Sequence, residues 1–244
     1  MNITKEQFSS YFNELLKKFE IKISDEQIEM FFKYGEMLLS YNEKVNLTAI
    51  IDPKEIILKH FIDSISIIKY IDFSKVNSII DVGTGGGFPG IPLKILFPNI
   101  KITLLDSLNK RLIFLDDVID KLHLKNVETI HFRAEDAAHN PLYREKYDLC
   151  VSRAVANLST LSEYCIPFIK KRGFFVSYKS IGLDKEIEDA QVAIKLLGAK
   201  SIKNVFFEVE GMNYHRSFAI IEKVCETKKK FPRKAGTPTK NPLK

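Results

Sequence analysis

Tryptophan is absent from this 244-residue chain, and cysteine nearly so: only Cys150, Cys165 and Cys225 occur. Three thiols, an odd number without paired spacing, exclude a disulfide scaffold and a cysteine-built metal centre. All three are expected as buried thiols, because free cysteine packs as a small hydrophobe. The five histidines, His60, His123, His131, His139 and His215, show no H-E-x-x-H spacing, so no metal is expected. No apolar run approaches the roughly 18 residues of a membrane span, which predicts no membrane partner. The start Met1-Asn-Ile-Thr-Lys-Glu lacks the basic-then-apolar order of a signal peptide, so a cytoplasmic location is expected. A G-x-S-x-G elbow is missing, and no Gly-Lys-Ser/Thr follows any glycine loop, which removes the common hydrolase and P-loop readings.

Acidic residues are absent from the end of the chain. From Thr227 onward, Lys228, Lys229, Lys230, Arg233, Lys234, Lys240 and Lys244 meet no acid, and the whole chain carries +6. Residues 1–226 therefore carry −1, and the basic excess lies entirely in the tail. Such a segment suits phosphate contact as well as simple solvation.

Glycine is also scarce, eleven in all, and it concentrates where the chain is organised. Ser78 to Val82 is a short apolar run of strand type, and it breaks into Gly83-Thr-Gly-Gly-Gly-Phe-Pro-Gly90. Glycines here admit positive φ and remove the Cβ atoms that would hold a ligand off the backbone. Two registers fit this loop. Gly85, Gly87 and Gly90 match the dinucleotide fingerprint, whereas Asp81, Gly83, Gly85 and Gly87 match the acid-x-G-x-G-x-G loop of S-adenosylmethionine (AdoMet) methyltransferases. A second apolar run, Ile102 to Leu105, ends in Asp106, placed to meet ribose hydroxyls. Both cofactors carry a ribose, so Asp106 does not choose between them.

Around this loop the chain alternates. Thr4 with Gln7 and Ser24 with Gln27 have capping-box spacing, predicting helices over 5–19 and 25–41. Asp52-Pro53 should start a third helix running to about Tyr70. Strands are expected at Val127–His131, Tyr147–Val151 and Phe174–Tyr178, a helix at Glu186–Leu197, and an antiparallel pair at Val205–Val209 and Phe218–Ile221. The order predicts an α/β fold with a doubly wound, mostly parallel sheet of Rossmann-like type. Its expected parts are a helical extension (1–75), a cofactor-binding domain (76–225) and a basic tail (226–244).

Several stretches together resemble one family. They are Asn46-Leu47-Thr48; His60 with Asp63-Ser64; the loop from Asp81 to Pro92; Asp106-Ser-Leu-Asn-Lys-Arg111; Arg133-Ala134-Glu135; Ser152-Arg153-Ala154; and Pro232-Arg233-Lys234 with Gly236 and Pro238. In this order, over nearly the whole chain, they resemble the ribosomal RNA small-subunit methyltransferase G family, also called glucose-inhibited division protein B. The resemblance implies a class I AdoMet-dependent methyltransferase acting on guanine N7 of 16S ribosomal RNA, with that RNA or the small ribosomal subunit as partner. It implies cofactor contacts by Asp81, Gly83, Gly85, Gly87, Phe88, Asp106, Ser107, Leu108, Ala134, Glu135 and Arg153. Arg153 is further implied as the positioning residue of catalysis, holding either the cofactor carboxylate or guanine O6. A structural ion pair with Asp136 or Glu135 is its plainer role. RNA contacts are implied for Asn46, Thr48 and His60, joined by Lys228, Lys229, Lys230, Arg233 and Lys234 of the tail. Because the expected cofactor residues end at Arg153, the tail is expected to be independent of cofactor binding.

Chemistry fits that target. Cytosine C5 methylation needs a nucleophilic thiolate, and Cys150 lacks the usual preceding proline. Asn140-Pro-Leu-Tyr143 only approximates the Asn-Pro-Pro-Tyr turn of amino methylation and reads as a loop. Guanine N7 already presents an in-plane lone pair, so positioning rather than proton removal should drive the reaction. The rivals are a nicotinamide-dependent dehydrogenase and a non-catalytic RNA-binding or ribosome-assembly factor.

Overall fold

The computed structural model describes residues 3–153, 155–180, 183–208 and 215–243. Helix α1 (Lys5–Lys18) and helix α2 (Asp25–Val45) both start at complete capping boxes, Thr4 with Gln7 and Ser24 with Gln27. The predicted third helix is there but not uniform. Asp52 caps α3 (Pro53–Ile56), which continues through a π-helical stretch (Ile57–Ile62), α4 (Asp63–Ile65) and a 3₁₀ turn (Ser66–Lys69). The apolar stripes face inward: Phe8 and Phe12 of α1 meet Phe31 of α2 and Phe61 of the π-helical stretch, with T-shaped or tilted rings and centroids 5.0–6.3 Å apart. They are packing faces, as helical spacing predicts.

Seven strands form one sheet in the order β3-β2-β1-β4-β5-β7-β6. They are β1 (Ser78–Val82), β2 (Lys101–Asp106), β3 (Val127–His131), β4 (Tyr147–Arg153), β5 (Ile169–Lys179), β6 (Ala199–Glu208) and β7 (His215–Lys223). Strands β1 to β5 pair in parallel, and β7 runs antiparallel to both β5 and β6. The reversed strand lets the last two elements join without a crossover helix. Strand β6 begins six residues before the predicted start, and Val209 lies outside the described residues. Helices α5 (Gly90–Leu96), α6 (Asn109–Lys121), α7 (Ala134–Ala137), α8 (Leu158–Cys165) and α9 (Leu183–Leu196) connect the strands, and α10 (Thr237–Lys240) lies in the tail.

One core layer runs without interruption from Phe8, Phe31 and Phe61 to Ile79, Leu104 and Val176 of the sheet, so residues 1–75 share a core with the domain that follows. The other layer includes Leu158, Leu161 and Phe231, so the tail is packed too. Cys150 and Cys165 are buried as expected, but Cys225, two residues past β7, is exposed. Asn140-Pro-Leu-Tyr143 is a turn, with the Leu142 N–H donating to Asn140 Oδ1. Among the described residues no helix is long and apolar enough to cross a membrane.

Candidate active site

A cavity of about 600 Å³ opens at the carboxyl ends of β1, β2 and β4. The strand order runs outward from β1 toward β2 on one side and β4 on the other, which makes this the switch point where open α/β sheets bind ligands. Its volume lies within the range of small-molecule sites.

The glycine loop forms one wall. Gly85 has φ +61°, and a Cβ there would meet no neighbour closer than 4.0 Å, so its face is open. Gly87 is different. At φ +97° its Cβ would lie 2.6 Å from Tyr34 Oη and 2.8 Å from Ile91 and Leu115, so the residue must be glycine for the sake of α2 and the core. Gly87 therefore does not border the cavity, contrary to the expected cofactor contact. Tyr34 also donates its hydroxyl to the Gly86 carbonyl, so α2 braces the loop from behind.

Two acids hold the loop in shape. Asp81 is fully buried behind it, and Oδ2 accepts from Thr84 Oγ1 at 2.7 Å and the Gly90 N–H at 2.9 Å. Burial raises its carboxyl to about 7. Asp81 is off the cavity wall, so its expected cofactor contact gives way to a loop-holding role. Asp106 does reach the wall, where Oδ2 accepts from the Gly85 N–H (2.9 Å) and Arg111 (3.2 Å), and Oδ1 from the Leu108 N–H (2.9 Å). A carboxylate has about four acceptor sites, which leaves about one for a ribose hydroxyl. Ser107 lines the cavity; Leu108 does not, and its side chain points out with 43% exposed.

A second part of the wall combines Phe88, at the end of the glycine loop, with His60 and Arg153. The His60 ring stacks on Phe88 (centroids 4.4 Å, 17° between planes), and the Arg153 guanidinium carbon lies 4.9 Å from the same ring. Arg153 Nη1 donates to the Lys59 carbonyl and Asp63 Oδ2, both at 2.9 Å, and Nη2 lies 3.0 Å from His60 Nδ1. Arginine only donates, so Nδ1 accepts and the imidazole proton sits on Nε2, which donates to Thr48 Oγ1 at 2.8 Å. Burial, then the Arg153 charge, lowers His60 to about 3, so the ring is neutral. The ion pair considered with Asp136 or Glu135 is thus made with Asp63 instead. Asp63 is fully buried and also meets Arg216, whose Nε lies 2.9 Å away. Nothing in the sequence links Asp63 with Arg153 across ninety positions.

At the far end stand Ala134 and Glu135, just past β3, with Tyr164 of α8 and Gly236 and Thr239 of the tail. The Gly236 N–H donates to Glu135 Oε1 at 2.9 Å. Leu47 and Val155 also border the cavity; Leu47 and Gly236 stand within the stretches that carry the family resemblance but are given no site role, and Val155, Tyr164 and Thr239 carry no signal. Asn46 is exposed as the left-handed cap of α2, off the wall, while Thr48 touches the site through His60. Lys228, Lys229, Lys230 and Lys234 are exposed, but Arg233 is committed to Glu163 (Nη2–Oε2 2.7 Å), so its expected phosphate contact gives way to an internal ion pair. The described residues contain no metal-ligating cluster.

A sequence profile of the rRNA small subunit methyltransferase G family matches residues 27–236. The chain belongs to that family. A relative named ribosomal RNA small subunit methyltransferase G from Clostridium novyi (strain NT) is 48% identical over 236 residues, covering 97% of each chain. Another of the same name from Acetivibrio thermocellus is 50% identical over 225 residues, 92% of each. The fold is shared with a putative O-methyltransferase from Klebsiella pneumoniae (TM-score 0.57, 11% identity, 91% of this chain and 99% of that one). It is shared also with Pyrococcus horikoshii TYW2, solved in complex with MeSAdo (TM-score 0.51, 10% identity, 66% of this chain and 61% of that one). Membership in the family sets aside the dehydrogenase reading.

Proposed function

We propose that the cavity binds S-adenosyl-L-methionine and that the chain transfers its methyl group to guanine N7 in 16S ribosomal RNA, as a cytoplasmic enzyme of ribosome modification. The residues present fit the cofactor. The open face of Gly85, the wall-lining Asp106 and the roomy end beside Ala134 and Glu135 match a nucleoside carrying a flexible chain. When bound, the cofactor supplies an electrophilic methyl on a sulfonium centre.

The observation that carries the choice of target atom is the Phe88–His60–Arg153 wall. It offers flat surfaces and a fixed guanidinium, but no base poised near neutral pH, since His60 is held neutral to about 3. A reaction that begins with proton removal would lack its base there. Guanine N7 needs none. What remains is alignment of the lone pair with the methyl carbon, and a rigid wall supplies that. Arg153 is the positioning residue: its guanidinium, locked by Asp63, Lys59 and His60, faces a region where the cofactor carboxylate or guanine O6 can receive its donors. Thr48, which touches the site through His60, and, off the cavity wall, Asn46 and the exposed lysines of the tail then provide RNA contacts.

The test is methylation of 16S RNA, naked and within the assembled small subunit, by the purified chain with AdoMet, followed by nuclease digestion and mass spectrometry. N7-methylguanine at a single site is expected with at least one substrate. AdoMet binding without methylation of either would favour the non-catalytic assembly factor.

A further inference from the structure

We propose that the C-terminal segment from Arg233 to Thr239 is a built wall of the cofactor cavity, clamped in place by the Arg233–Glu163 ion pair. The proposal rests on the reading of the cavity as the AdoMet site, and it adds Gly236 and Thr239 to that site.

A tail that merely rested on the surface would be held by exposed contacts, which are worth little. This one is held by a buried acid. Glu163 of α8 is fully buried, and Arg233 approaches it three ways: backbone N–H to Oε1 (2.7 Å), Nε to Oε1 (3.0 Å) and Nη2 to Oε2 (2.7 Å). A buried carboxylate left without such a partner is strongly unfavourable, so the docked tail is the state the domain requires. Two more contacts continue the line, Thr160 Oγ1 to the Pro238 carbonyl (3.0 Å) and Tyr164 Oη with Thr239 Oγ1 (2.8 Å).

Between these anchors the chain turns toward the cavity. Gly236 takes φ +81°, and a Cβ placed on it would find no atom within 4 Å, so it presents an open face while bordering the cavity. Its N–H donates to Glu135 Oε1. Glu135 is one of the residues that the family resemblance implies as cofactor contacts. The tail therefore fixes the orientation of that carboxylate and closes the same end of the cavity. The clamp acts through Gly236 and Glu135, which makes Arg233 and Glu163 positioning residues.

The test is calorimetric titration of AdoMet and of adenosine into the full chain and three variants. They are a chain ending at Pro232, the charge-balanced pair Glu163→Gln with Arg233→Met, and Gly236→Asn. Asparagine tolerates left-handed backbone and keeps the N–H to Glu135, while its side chain enters the open space. Weakening of both ligands by about tenfold or more is expected in each variant. Gly236→Asn should do so with an unchanged ligand-free Tm, and AdoMet should protect the bond after Lys234 from trypsin in the wild type. If truncation prevents folding, Gly236→Asn decides alone. Wild-type affinity in Gly236→Asn or in the charge-balanced pair would overturn the proposal while leaving the cavity reading intact. Failure of the wild type to bind AdoMet would overturn both.

Discussion

Gly85 and Gly87 are two residues apart, and both adopt positive φ, yet substitution should separate them cleanly. At Gly85 an added side chain meets open cavity, so Gly85→Val incurs only the backbone cost of the left-handed region, about 1–2 kcal/mol. For a chain of this size each kcal/mol lowers Tm by about 2–4 °C, giving a fall of about 2–8 °C. The folded variant should show no AdoMet binding, because the branched side chain stands in cofactor space. At Gly87 the same backbone cost is joined by overlap, since even a methyl group would lie 2.6 Å from Tyr34 Oη and 2.8 Å from Ile91 and Leu115. Overpacking adds about 1–3 kcal/mol. The total, about 2–5 kcal/mol, predicts a fall of about 4–20 °C for Gly87→Ala. Where it remains folded, Gly87→Ala should still bind AdoMet, because its side chain faces α2. Differential scanning fluorimetry and calorimetric titration read the two effects independently. Retained affinity in Gly85→Val, or an unshifted Tm in Gly87→Ala, would refute the assignment of one face to ligand and the other to packing.

Asp106→Ala should weaken AdoMet by about 1–3 kcal/mol, the scale of a lost partner for charged hydrogen bonds; an unchanged titration would place ribose recognition elsewhere. Single-turnover methylation at saturating substrate should lack a base-dependent rise across about pH 6 to 9, a window chosen around histidine and amine titration. A steep rise traceable to one protein group would contradict the mechanism. His60 should also mark the stability profile: its folded value of about 3 lies below the ordinary 6.5, so the unfolded chain binds the extra proton. Its contribution is complete above 6.5 and is lost as pH falls toward 3, at up to about 1.4 kcal/mol per pH unit. Chemical denaturation of His60→Gln should accordingly show a shallower loss in that window, and parallel profiles would count against a neutral buried ring. Changing Lys228, Lys229, Lys230 and Lys234 to glutamine should weaken RNA and flatten the slope of log K against log salt by about 0.7 for each phosphate contact removed. An unchanged slope at normal Tm would make these lysines a solvated edge.

Much of the fold was legible because its signals are local. Both capping boxes, the Asp52-Pro53 start, and strands β1, β2 and β3 follow from spacing and apolar runs within a few residues. On the wall, Gly85 and Asp106 were legible for the same reason, a glycine turn and an acid directly after apolar strand runs, whereas Glu135 and Arg153 came from the family resemblance. What the pattern could not show was pairing at a distance. Gly87 has the right residue type in the right motif, yet its neighbours Tyr34 and Leu115 turn it toward the protein rather than the ligand, while Asp81 is turned inward by Thr84 and Gly90 of its own loop. The tail misled for a related reason. Seven cations without an acid read as a free basic end, but one of them, Arg233, is paired with Glu163, supplied by α8 seventy positions earlier.

The same long-range pairing makes the helical N-terminus part of the cavity wall. Arg153 stands at the end of the fourth strand on the cavity wall, with only 11% of its side chain exposed. A guanidinium so placed needs a counterion to remain favourable, and the sheet does not supply it. Asp63 does, from the helical run that begins at Pro53, and the adjoining turn of that run supplies the Lys59 carbonyl and His60. On the other side Arg216 of β7 shares Asp63, tying the antiparallel end of the sheet to the same point. One buried carboxylate thus joins the N-terminal helices, the parallel sheet and the reversed strand at the cavity wall. Removing it would take a shared counterion from two arginines at once, so Asp63 couples docking of the N-terminal region to the position of Arg153 beside Phe88. The geometry of the cavity wall is in this way a property of the whole chain, and a fragment beginning at the first strand would carry Phe88 and Arg153 without the His60 and Asp63 that hold them.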